Sequence, residues 1–460
     1  MAAVFIPENL GGMRAYFETG VTRTYEFRKA QLARLKEAVV KHEQNIYNAL
    51  YADLKKSAEE SWVTENGFFL NEINNAIRNL ARWMEPDQVG TNLVNLPSSS
   101  YVIKEPLGVV LIISPWNYPF QLLFTPLVGA IAAGNCIVLK PSEFAPATSA
   151  VMKKIIQENF SPEYILFAEG DGDVVVPAMM RNFVFNHVFY TGSTSVGQLI
   201  YKMAAENLVP VTLELGGKSP CVVEGDANIV ATARRIAMSK FSNAGQMCVT
   251  PDYVLVHESK KDALISELQK VIVRFFGEKP EDNYNYGKII NEKQFDRISN
   301  YIAQGNIMHG GRTDRSNLFI EPTILSNTPL DAPVMKEEIF GPVLPVLTFR
   351  NFEEGKAIIA RNPNPLAFYV FTSDKKKEKK WLEGVSFGGG CVNNAAWHLT
   401  NHHLPFGGKG SSGMGRYHGQ YSFDTFSHKK AIMKTPTWFD PNIKYPPFKG
   451  KLKLFKWVIR

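Results

Sequence analysis

The chain has 460 residues, of which 45% are hydrophobic and 21% are charged, and this composition is typical of a soluble globular protein. The length is too great for one hydrophobic core and predicts two or three domains. The 51 Lys and Arg residues exceed the 44 Asp and Glu residues, which gives a formal net charge of +7. Spread over so large a surface, this mild excess does not indicate a nucleic-acid-binding protein.

The N-terminal segment MAAVFIPENLGG lacks the basic and then apolar pattern of a signal peptide, so we expect a cytoplasmic protein. The cysteines are far apart in the sequence and form neither a CxxC pair nor a zinc-type spacing; they are Cys136, Cys221, Cys248 and Cys391. This spacing indicates free thiols in a reducing compartment and predicts no metal site.

The first hundred residues read as two helical stretches followed by a less regular segment. Apolar residues recur at steps of three and four over 25–56, which predicts a helical stretch, and a second helical stretch is expected over about 61–83. Residues 89–102 are polar and β-branched around Pro97, which favours a protruding pair of strands over core.

The uncharged stretch 106–139 raises the question of a membrane span, because its residues 120–139 could cross a bilayer. Breakers interrupt it: Pro115, Pro119, Pro126, Gly129, Gly134 and Asn135. We therefore favour a buried strand, a turn, a buried helix and a second strand over the membrane span.

From Leu107 onward, short apolar strands alternate with helices, which is the pattern of a doubly wound parallel sheet. Strands are predicted at 109–113, 137–139, 164–168 and 188–190, with a helix over 148–158. After Gly217 the pattern repeats, with strands at 221–223 and 253–256 and helices over 229–241 and 261–276. The sequence therefore predicts two α/β domains in series.

Two residues have the chemistry of a nucleophile and a base. Cys248 follows the small and polar segment Ser242-Asn-Ala-Gly-Gln-Met, which can place a thiolate on an exposed turn, although a buried structural thiol is the alternative. Glu214 ends an apolar strand and precedes two glycines. An apolar setting raises the pKa of a carboxyl group, which suits a general base, and a capping or salt-bridged surface glutamate is the alternative.

Three further polar segments follow predicted strands, where open α/β sheets bind ligands. Asn117 could donate to a developing oxyanion, or its flanking prolines could form an ordinary turn. Lys140 and Glu143 follow the next strand, and an acid there can accept from ribose hydroxyls. Residues 189–197 read as a strand, a small-residue turn and a helix that would point N–H groups toward phosphate, with a GxxxxG spacing that is not a dinucleotide fingerprint.

Taken together and in this order, these segments resemble the aldehyde dehydrogenase superfamily. Two more segments match, Glu337-Glu-Ile-Phe-Gly-Pro342 and Pro405-Phe-Gly-Gly-Lys-Gly-Ser-Ser-Gly413, so the resemblance covers nearly the whole chain. The sequences of residues 211–221 and 411–428 are similar to those of class 3, the fatty and aromatic aldehyde branch. The resemblance implies an α/β fold with a Rossmann-like NAD-binding domain, an α/β catalytic domain and a small oligomerisation arm.

The domains implied by this resemblance can be assigned along the chain. Residues 1–86 and 104–217 would form the NAD(P)-binding domain, and residues 218–415 the catalytic domain. Residues 87–103 and 416–445 would form the arm of a homodimer, followed by a basic and aromatic tail over 446–460.

The resemblance also implies the reaction, which is oxidation of an aldehyde, medium- or long-chain aliphatic or aromatic, to the carboxylic acid. The cofactor would be NAD, or NADP, without a metal. Cys248 would form a thiohemiacetal and then a thioester, Glu214 would activate the hydrolytic water, and Asn117 with the Cys248 N–H would form the oxyanion hole. The implied cofactor-binding residues are Trp116, Lys140, Ser142, Glu143, Gly192, Ser193, Thr194, Ser195, Val196, Gly197, Glu338 and Phe340.

Two residues depart from the family pattern. Met247 stands where the family often has threonine or arginine, and we expect it to line the aldehyde pocket. Lys409 stands where class 3 often has a small apolar residue.

Glu143 should repel the 2′-phosphate of NADP at close range, which favours NAD.

Three other functions fit these residues less well. A non-catalytic nucleotide-binding or membrane-associated scaffold would predict a damaged set of catalytic residues, whereas the set is complete. An acylating dehydrogenase resolves its thioester with coenzyme A and needs no base such as Glu214. The reverse reaction, aldehyde formation from an acid, would require prior activation of the acid.

The C-terminal segment 444–460 combines six basic residues with apolar ones and contains no acid; the apolar residues are Phe448, Leu452, Leu454, Phe455, Trp457, Val458 and Ile459. This composition suits the headgroup boundary of an anionic membrane. The alternative is that the tail packs over the partner subunit or the substrate entrance.

Overall fold

The computed structural model of the protein describes residues 8–459. Predictions that concern residues 1–7 and Arg460 therefore lie outside the described residues. The helices are α1 (Glu8–Glu18), α2 (Tyr25–Lys41), α3 (Glu43–Leu54), α4 (Ala58–Ser61), α5 (Gly67–Met84), α6 (Pro119–Ala133), α7 (Pro146–Asn159), α8 (Gly172–Asn182), α9 (Thr194–Ala205), α10 (Ile229–Phe241), α11 (Lys261–Phe276), α12 (Glu292–Ile302), α13 (Pro333–Lys336), α14 (Phe352–Ile359), α15 (Lys375–Gly384), α16 (Gln420–Thr425) and α17 (Leu452–Val458).

The strands form four sheets. They are β1 (Asp87–Val89), β2 (Ser99–Pro106), β3 (Val109–Ile113), β4 (Cys136–Lys140), β5 (Ile165–Phe167), β6 (His187–Thr191), β7 (Val211–Glu214), β8 (Pro220–Val223), β9 (Tyr253–His257), β10 (Asn306–His309), β11 (Thr313–Asp314), β12 (Phe319–Ile320), β13 (Thr323–Ser326), β14 (Val343–Phe349), β15 (Ala367–Phe371), β16 (Gly389–Val392), β17 (Gly413–Met414) and β18 (Ser427–Lys434).

The stretch 25–56, predicted to be helical, consists of two helices, α2 and α3, with a break at His42. Thr24 caps α2 by accepting from the Phe27 N–H at 3.2 Å, and the helix stops at His42, where φ is −99° and ψ is 10°. The His42 ring is buried and lies 3.2 Å from Glu158, so a tertiary contact interrupts the helical pattern. The second predicted helix is present as a π-helical turn, Trp62–Asn66, followed by α5.

The six-stranded sheet has the order β17-β7-β6-β3-β4-β5, with β17 antiparallel and the others parallel. The predicted succession of strand, turn, buried helix and strand is confirmed by β3, α6 and β4. Pro126, predicted to break the helix, lies inside α6, because every residue of this helix is buried and packing outweighs the lost backbone hydrogen bond. Within the described part of the chain, no helix is long and apolar enough to cross a bilayer.

The seven-stranded sheet has the order β10-β13-β14-β9-β8-β15-β16. All its neighbours are parallel except β10, which runs antiparallel to β13. The predicted α/β fold with parallel sheets is therefore confirmed, and the division of the chain into two successive domains stays a prediction. Strand β17 comes late in the chain and nevertheless joins the six-stranded sheet, so residues 413–414 cross back from the predicted catalytic segment.

The small antiparallel sheet has the order β1-β2-β18. Strands β1 and β2 are the pair predicted around Pro97, although β2 extends to Pro106. The third strand, β18, pairs with β2 along its whole length, from Ser427 opposite Pro106 to Lys434 opposite Ser99. This small sheet thus joins two segments that are distant in the sequence.

Candidate active site

The proposed catalytic residues come from segments at the ends of strands in both large sheets. Strands β3, β4, β6 and β7 are parallel, so the segments that follow them lie at one edge of the six-stranded sheet. These segments contain Asn117 and Gly192, while Lys140 and Glu214 are the last residues of β4 and β7. Cys248 and Glu338 precede β9 and β14, which are parallel neighbours in the seven-stranded sheet, and they come from the opposite side.

A mainly apolar cavity of about 150 Å³ opens between these segments. Cys248 and Glu214 both line it, and the rings of Phe68, Phe406 and Tyr417 form part of its wall. Met247 lines the cavity too, as expected from the sequence. The structure therefore brings the predicted nucleophile and the predicted base to one cavity that an apolar molecule could fill.

Cys248 follows an unusual turn formed by residues 242–245. Asn243 and Ala244 have φ values of 49° and 50°, and Gly245 has a φ of 74°. A side chain at Gly245 would place its Cβ 2.3 Å from the Gly341 carbonyl oxygen, so this position requires glycine. Cys248 is half-buried in the cavity wall instead of standing on a fully exposed turn. Burial and the nearby charges of Glu338 and Glu214 raise the pKa of its thiol to about 12.

Glu214 is almost completely buried, and neither of its carboxylate oxygens has a hydrogen-bond partner within residues 8–459. The alternative of a capping or salt-bridged surface residue is therefore wrong. Burial raises the pKa of its carboxyl group well above the usual range. A buried carboxylate without a partner is costly to maintain, and such groups are typical of functional sites.

Asn117 is buried beside the turn that precedes Cys248. Its side-chain Nδ2 donates to the Gln246 carbonyl oxygen at 3.0 Å. An amide nitrogen carries two N–H groups, so a second donor remains for another acceptor. The backbone carbonyl oxygen of Asn117 accepts from Lys56 Nζ at 3.0 Å and from Asn243 Nδ2 at 2.8 Å.

Lys140 and Glu143 form a polar pair at the end of β4. The buried Lys140 Nζ lies 3.2 Å from Glu143 Oε2, and the Gly172 N–H donates to Glu143 Oε1 at 3.3 Å. Although burial opposes ionisation, backbone hydrogen bonds and Lys140 lower the pKa of Glu143. Ser142 Oγ accepts from the Phe144 N–H at 3.3 Å and so shapes this turn. An ionised acceptor held in this way fits the hydroxyls of a ribose.

The turn after β6 leads directly into α9. Ser193 caps the helix by accepting from the Val196 N–H at 3.4 Å, and Ser195 and Val196 are exposed on its first turn. Gly197 lies so close to Leu215 that a Cβ would come within 2.5 Å of its side chain, and Gly192 is similarly close to the Tyr190 hydroxyl. Thr194 Oγ1 donates to the Ser411 carbonyl oxygen at 3.3 Å. The amides of a helix start fit a phosphate group.

Glu338 and Phe340 approach the six-stranded sheet from the other side. A Cβ on Gly216 would lie 1.9 Å from Glu338 Oε2, so the glycine after β7 admits this carboxylate. Burial raises the pKa of Glu338 to about 8, and the charge of Asp252 adds to the effect. The Phe340 ring meets that of Trp116 edge to face, with centroids 5.3 Å apart.

Several residues of the site had not been predicted. They are the charged side chains Lys56, Glu60 and Glu65 and the polar side chains Asn243 and Gln246. The polar run before Cys248 contains the last two, and its composition could have drawn attention to them. For Lys56, Glu60 and Glu65 the sequence carries no signal. Lys409 is exposed, and its Nζ donates to Ser386 Oγ at 2.7 Å. Its side chain therefore makes a surface contact.

A sheet edge that fits a ribose and phosphate groups, beside a half-buried cysteine and a buried carboxyl group, is typical of a nicotinamide-dependent dehydrogenase. The chain belongs to the aldehyde dehydrogenase family, whose model matches residues 12–432. This confirms the family predicted from the sequence. The protein is an NAD(P)-dependent oxidoreductase that oxidises an aldehyde to an acid.

Two curated relatives and one solved structure show how close the similarity is. The chain is 46% identical over 445 residues to 4,4′-diaponeurosporen-aldehyde dehydrogenase of Staphylococcus aureus (strain NCTC 8325 / PS 47), which covers 96% of each chain. It is 44% identical over 453 residues to aldehyde dehydrogenase family 3 member H1 of Arabidopsis thaliana, covering 97% of this chain and 93% of the relative. The substrate-bound state of Staphylococcus aureus AldH has a TM-score of 0.97 and 44% identity, and covers 99% and 100% of the two chains. These relatives confirm the similarity to class 3.

Proposed function

We propose that the chain oxidises its aldehyde through a thioester on Cys248, which is hydrolysed by water that Glu214 activates. The observation that carries this proposal is that Cys248 and the unpartnered carboxylate of Glu214 line one cavity. A thiol suits both steps, because it is a good nucleophile and also a good leaving group.

The chemistry of the chain's own residues then follows in order. The Cys248 thiol gives up its proton to water, and the thiolate attacks the aldehyde carbon. The resulting thiohemiacetal carries an oxyanion that is stabilised by the free N–H of Asn117 and by the Cys248 N–H. A bound nicotinamide supplies the hydride acceptor for this oxidation. Glu214 then takes a proton from water, the hydroxide attacks the thioester carbon, and the carboxylic acid leaves as the C–S bond breaks.

The residues that would hold the cofactor lie along the edge between the two sheets. Lys140 and Glu143 would bind the adenosine ribose, with Ser142 shaping their turn, and residues 192–197 would lie near the phosphates. Glu338 would bind the nicotinamide ribose, with Phe340 and Trp116 packed beside it. Glu143 is held ionised by Lys140 and the Gly172 N–H, so it should repel the 2′-phosphate of NADP.

The assay of the proposal uses purified protein, a panel of aldehydes, and NAD or NADP. Because the cavity is mainly apolar and aromatic, we expect medium- or long-chain aliphatic or aromatic aldehydes to react best. We expect kcat/KM to be about fivefold higher with NAD than with NADP, since a like-charge contact at close range costs on the order of 1 kcal/mol. Acid formation should not require coenzyme A. A requirement for coenzyme A would instead identify an acylating dehydrogenase.

We further propose that the chain forms a homodimer through its arm. Within residues 8–459, β18 pairs only with β2 and β16 pairs only with β15, so each strand has an open edge. Open edges are sites of strand addition. A second copy could cover both by symmetry. We expect a dimer in sedimentation at micromolar concentration, and a stable, active monomer would contradict the proposal.

We also propose that the enzyme is cytoplasmic and that its C-terminal tail makes peripheral contact with an anionic membrane. Leu452, Trp457 and Ile459 are 63%, 77% and 70% exposed around α17. Lysines are interleaved with them, and each basic residue near an anionic surface contributes on the order of 1 kcal/mol. Packing over the partner subunit or the substrate entrance is the competing role.

Co-sedimentation with anionic vesicles at low and high salt distinguishes the two roles of the tail. The full-length protein should bind vesicles at low salt and lose this binding at high salt, because screening weakens the attraction. A chain truncated after Tyr445 should bind less at low salt. Equal and salt-insensitive partitioning of both proteins would leave the tail as a packing element.

A further inference from the structure

Three charged residues from the N-terminal segment reach the two turns that carry the proposed catalytic groups. Lys56, Glu60 and Glu65, here called the clasp, contact the turn that contains Asn117 and the turn that precedes Cys248. None of the three lines the substrate cavity. They can therefore act only through the residues that they hold.

The centre of the clasp is an ion pair from which solvent is excluded. Lys56 and Glu65 are both 0% exposed, and Nζ lies 2.6 Å from Oε1. Lys56 Nζ also donates to the Asn117 carbonyl oxygen at 3.0 Å and lies 3.8 Å from the centroid of the Tyr118 ring. A buried ion pair is expensive to desolvate, so its retention calls for a role beyond stability.

The second oxygen of Glu65 fixes the other end of the same turn. Glu65 Oε2 accepts from the N–H groups of Phe120 and Gln121 at 3.1 and 2.8 Å, in the first turn of α6. Tyr118, the residue that precedes this helix, provides no side-chain cap. Glu65 therefore satisfies amides that the helix leaves free, and its negative charge is favourable there. The turn with Asn117 is held at its carbonyl by Lys56 and at its exit by Glu65.

The third member of the clasp reaches the turn of the nucleophile. Glu60 Oε1 accepts from the Asn243 N–H at 2.7 Å, where Asn243 adopts a φ of 49°. The Asn243 side chain donates in turn to the carbonyl oxygens of Asn117 and Gln246, at 2.8 and 3.2 Å. A continuous series of hydrogen bonds thus connects the clasp with both turns.

We propose that the clasp is a positioning device, which holds the Asn117 amide and the Cys248 turn in a fixed relative geometry. The oxyanion donors then meet the carbonyl that the sulfur attacks, without rearrangement during the reaction. The inference rests on the proposed function, because it takes Cys248 as the nucleophile and Asn117 as an oxyanion donor. Lys56, Glu60 and Glu65 are positioning residues.

The test replaces both members of the ion pair, since removing one would leave an unpaired buried charge. The variant Lys56→Met/Glu65→Met keeps the volume, and such replacements are often tolerated. In a single turnover, with enzyme in excess over aldehyde and NAD saturating, the rate constant of NADH formation should fall about 10- to 100-fold, because misplacement on the order of 1 Å can cost about that much. The amplitude should stay at the parent value. Lys104→Met is the control, since the Lys104 side chain is also buried and forms an ion pair, with the half-exposed Asp87, but lies in the small sheet; its rate constant should be unchanged.

The dependence of the rate constant on enzyme concentration separates positioning from a structural role. A rate constant that falls less than about fivefold overturns the proposal, and so does a fall that disappears when the enzyme concentration is raised to saturation, which reports only a smaller fraction of folded enzyme. If the double variant shows no cooperative melting transition, Glu60→Ala at the half-buried end of the clasp takes its place under the same criterion. Cys248→Ala is measured in parallel. NADH formation by that variant would refute the proposed function itself, whereas an inactive Cys248→Ala beside a clasp variant with the parent rate constant refutes the clasp alone.

Discussion

Replacement of Cys248 by alanine is expected to abolish aldehyde oxidation while NAD binding and the fold are retained. The change removes the only group that we propose attacks the aldehyde, so kcat should fall by at least about 10⁴-fold. The side chain is small and half-buried at the cavity wall, so little packing is lost. Steady-state NADH formation, the thermal transition and NAD affinity are measured on the same preparation.

The remaining cysteines provide the controls for this variant. Cys136 and Cys221 are buried in β4 and β8, and Cys391 is half-buried in β16. None of these three cysteines is among the described residues that line the cavity. Alanine at each of these positions should leave turnover near the parent value. Near-normal turnover by Cys248→Ala would refute the assignment of the nucleophile.

Replacement of Glu214 by glutamine is expected to separate the two halves of the reaction. Glutamine has nearly the same shape but cannot take a proton from water, so hydrolysis of the thioester should slow by about 10²- to 10⁴-fold. Hydride transfer precedes this step and should be affected less. We therefore expect a pre-steady-state burst of NADH, close to one equivalent per active site, followed by slow turnover.

Glu72→Gln is the matched control for this experiment. Glu72 is also a buried carboxyl group, and burial raises its pKa to about 7, but it accepts from the Gly419 N–H and does not line the cavity. This variant should turn over at the parent rate without a new burst. If Glu214→Gln showed a full steady-state rate and no burst, Glu214 would have no place in the mechanism.

The residues that sequence analysis located are those whose position follows from a local pattern. Val109–Ile113 is an uninterrupted apolar run, which predicts a buried parallel strand, and a polar residue after such a strand falls at a ligand-binding edge. Asn117, Lys140 and Glu214 were found in this way. Their roles came from the family resemblance, because a strand end alone does not separate an oxyanion donor from a turn residue.

The features that were missed depend on contacts between distant segments. The break at His42 is accompanied by its contact with Glu158, and the periodicity of residues 25–56 contains no sign of it. Lys56 meets Asn117 only because the fold brings their segments together, since a lysine in a charged stretch reads as an exposed residue. Strand β17 is too short to be recognised before its partner, β7, is known.

The central claim, a covalent thioester on Cys248, is tested most directly by the mass of the intact Glu214→Gln enzyme. The protein is mixed with NAD and an aldehyde, quenched with acid during the slow phase, and then digested. We expect a mass increase equal to the chosen aldehyde less two hydrogen atoms, carried by the peptide that contains Cys248 and absent without NAD. An unmodified protein that has nevertheless formed one equivalent of NADH, or an acyl group on any other residue, would contradict the account.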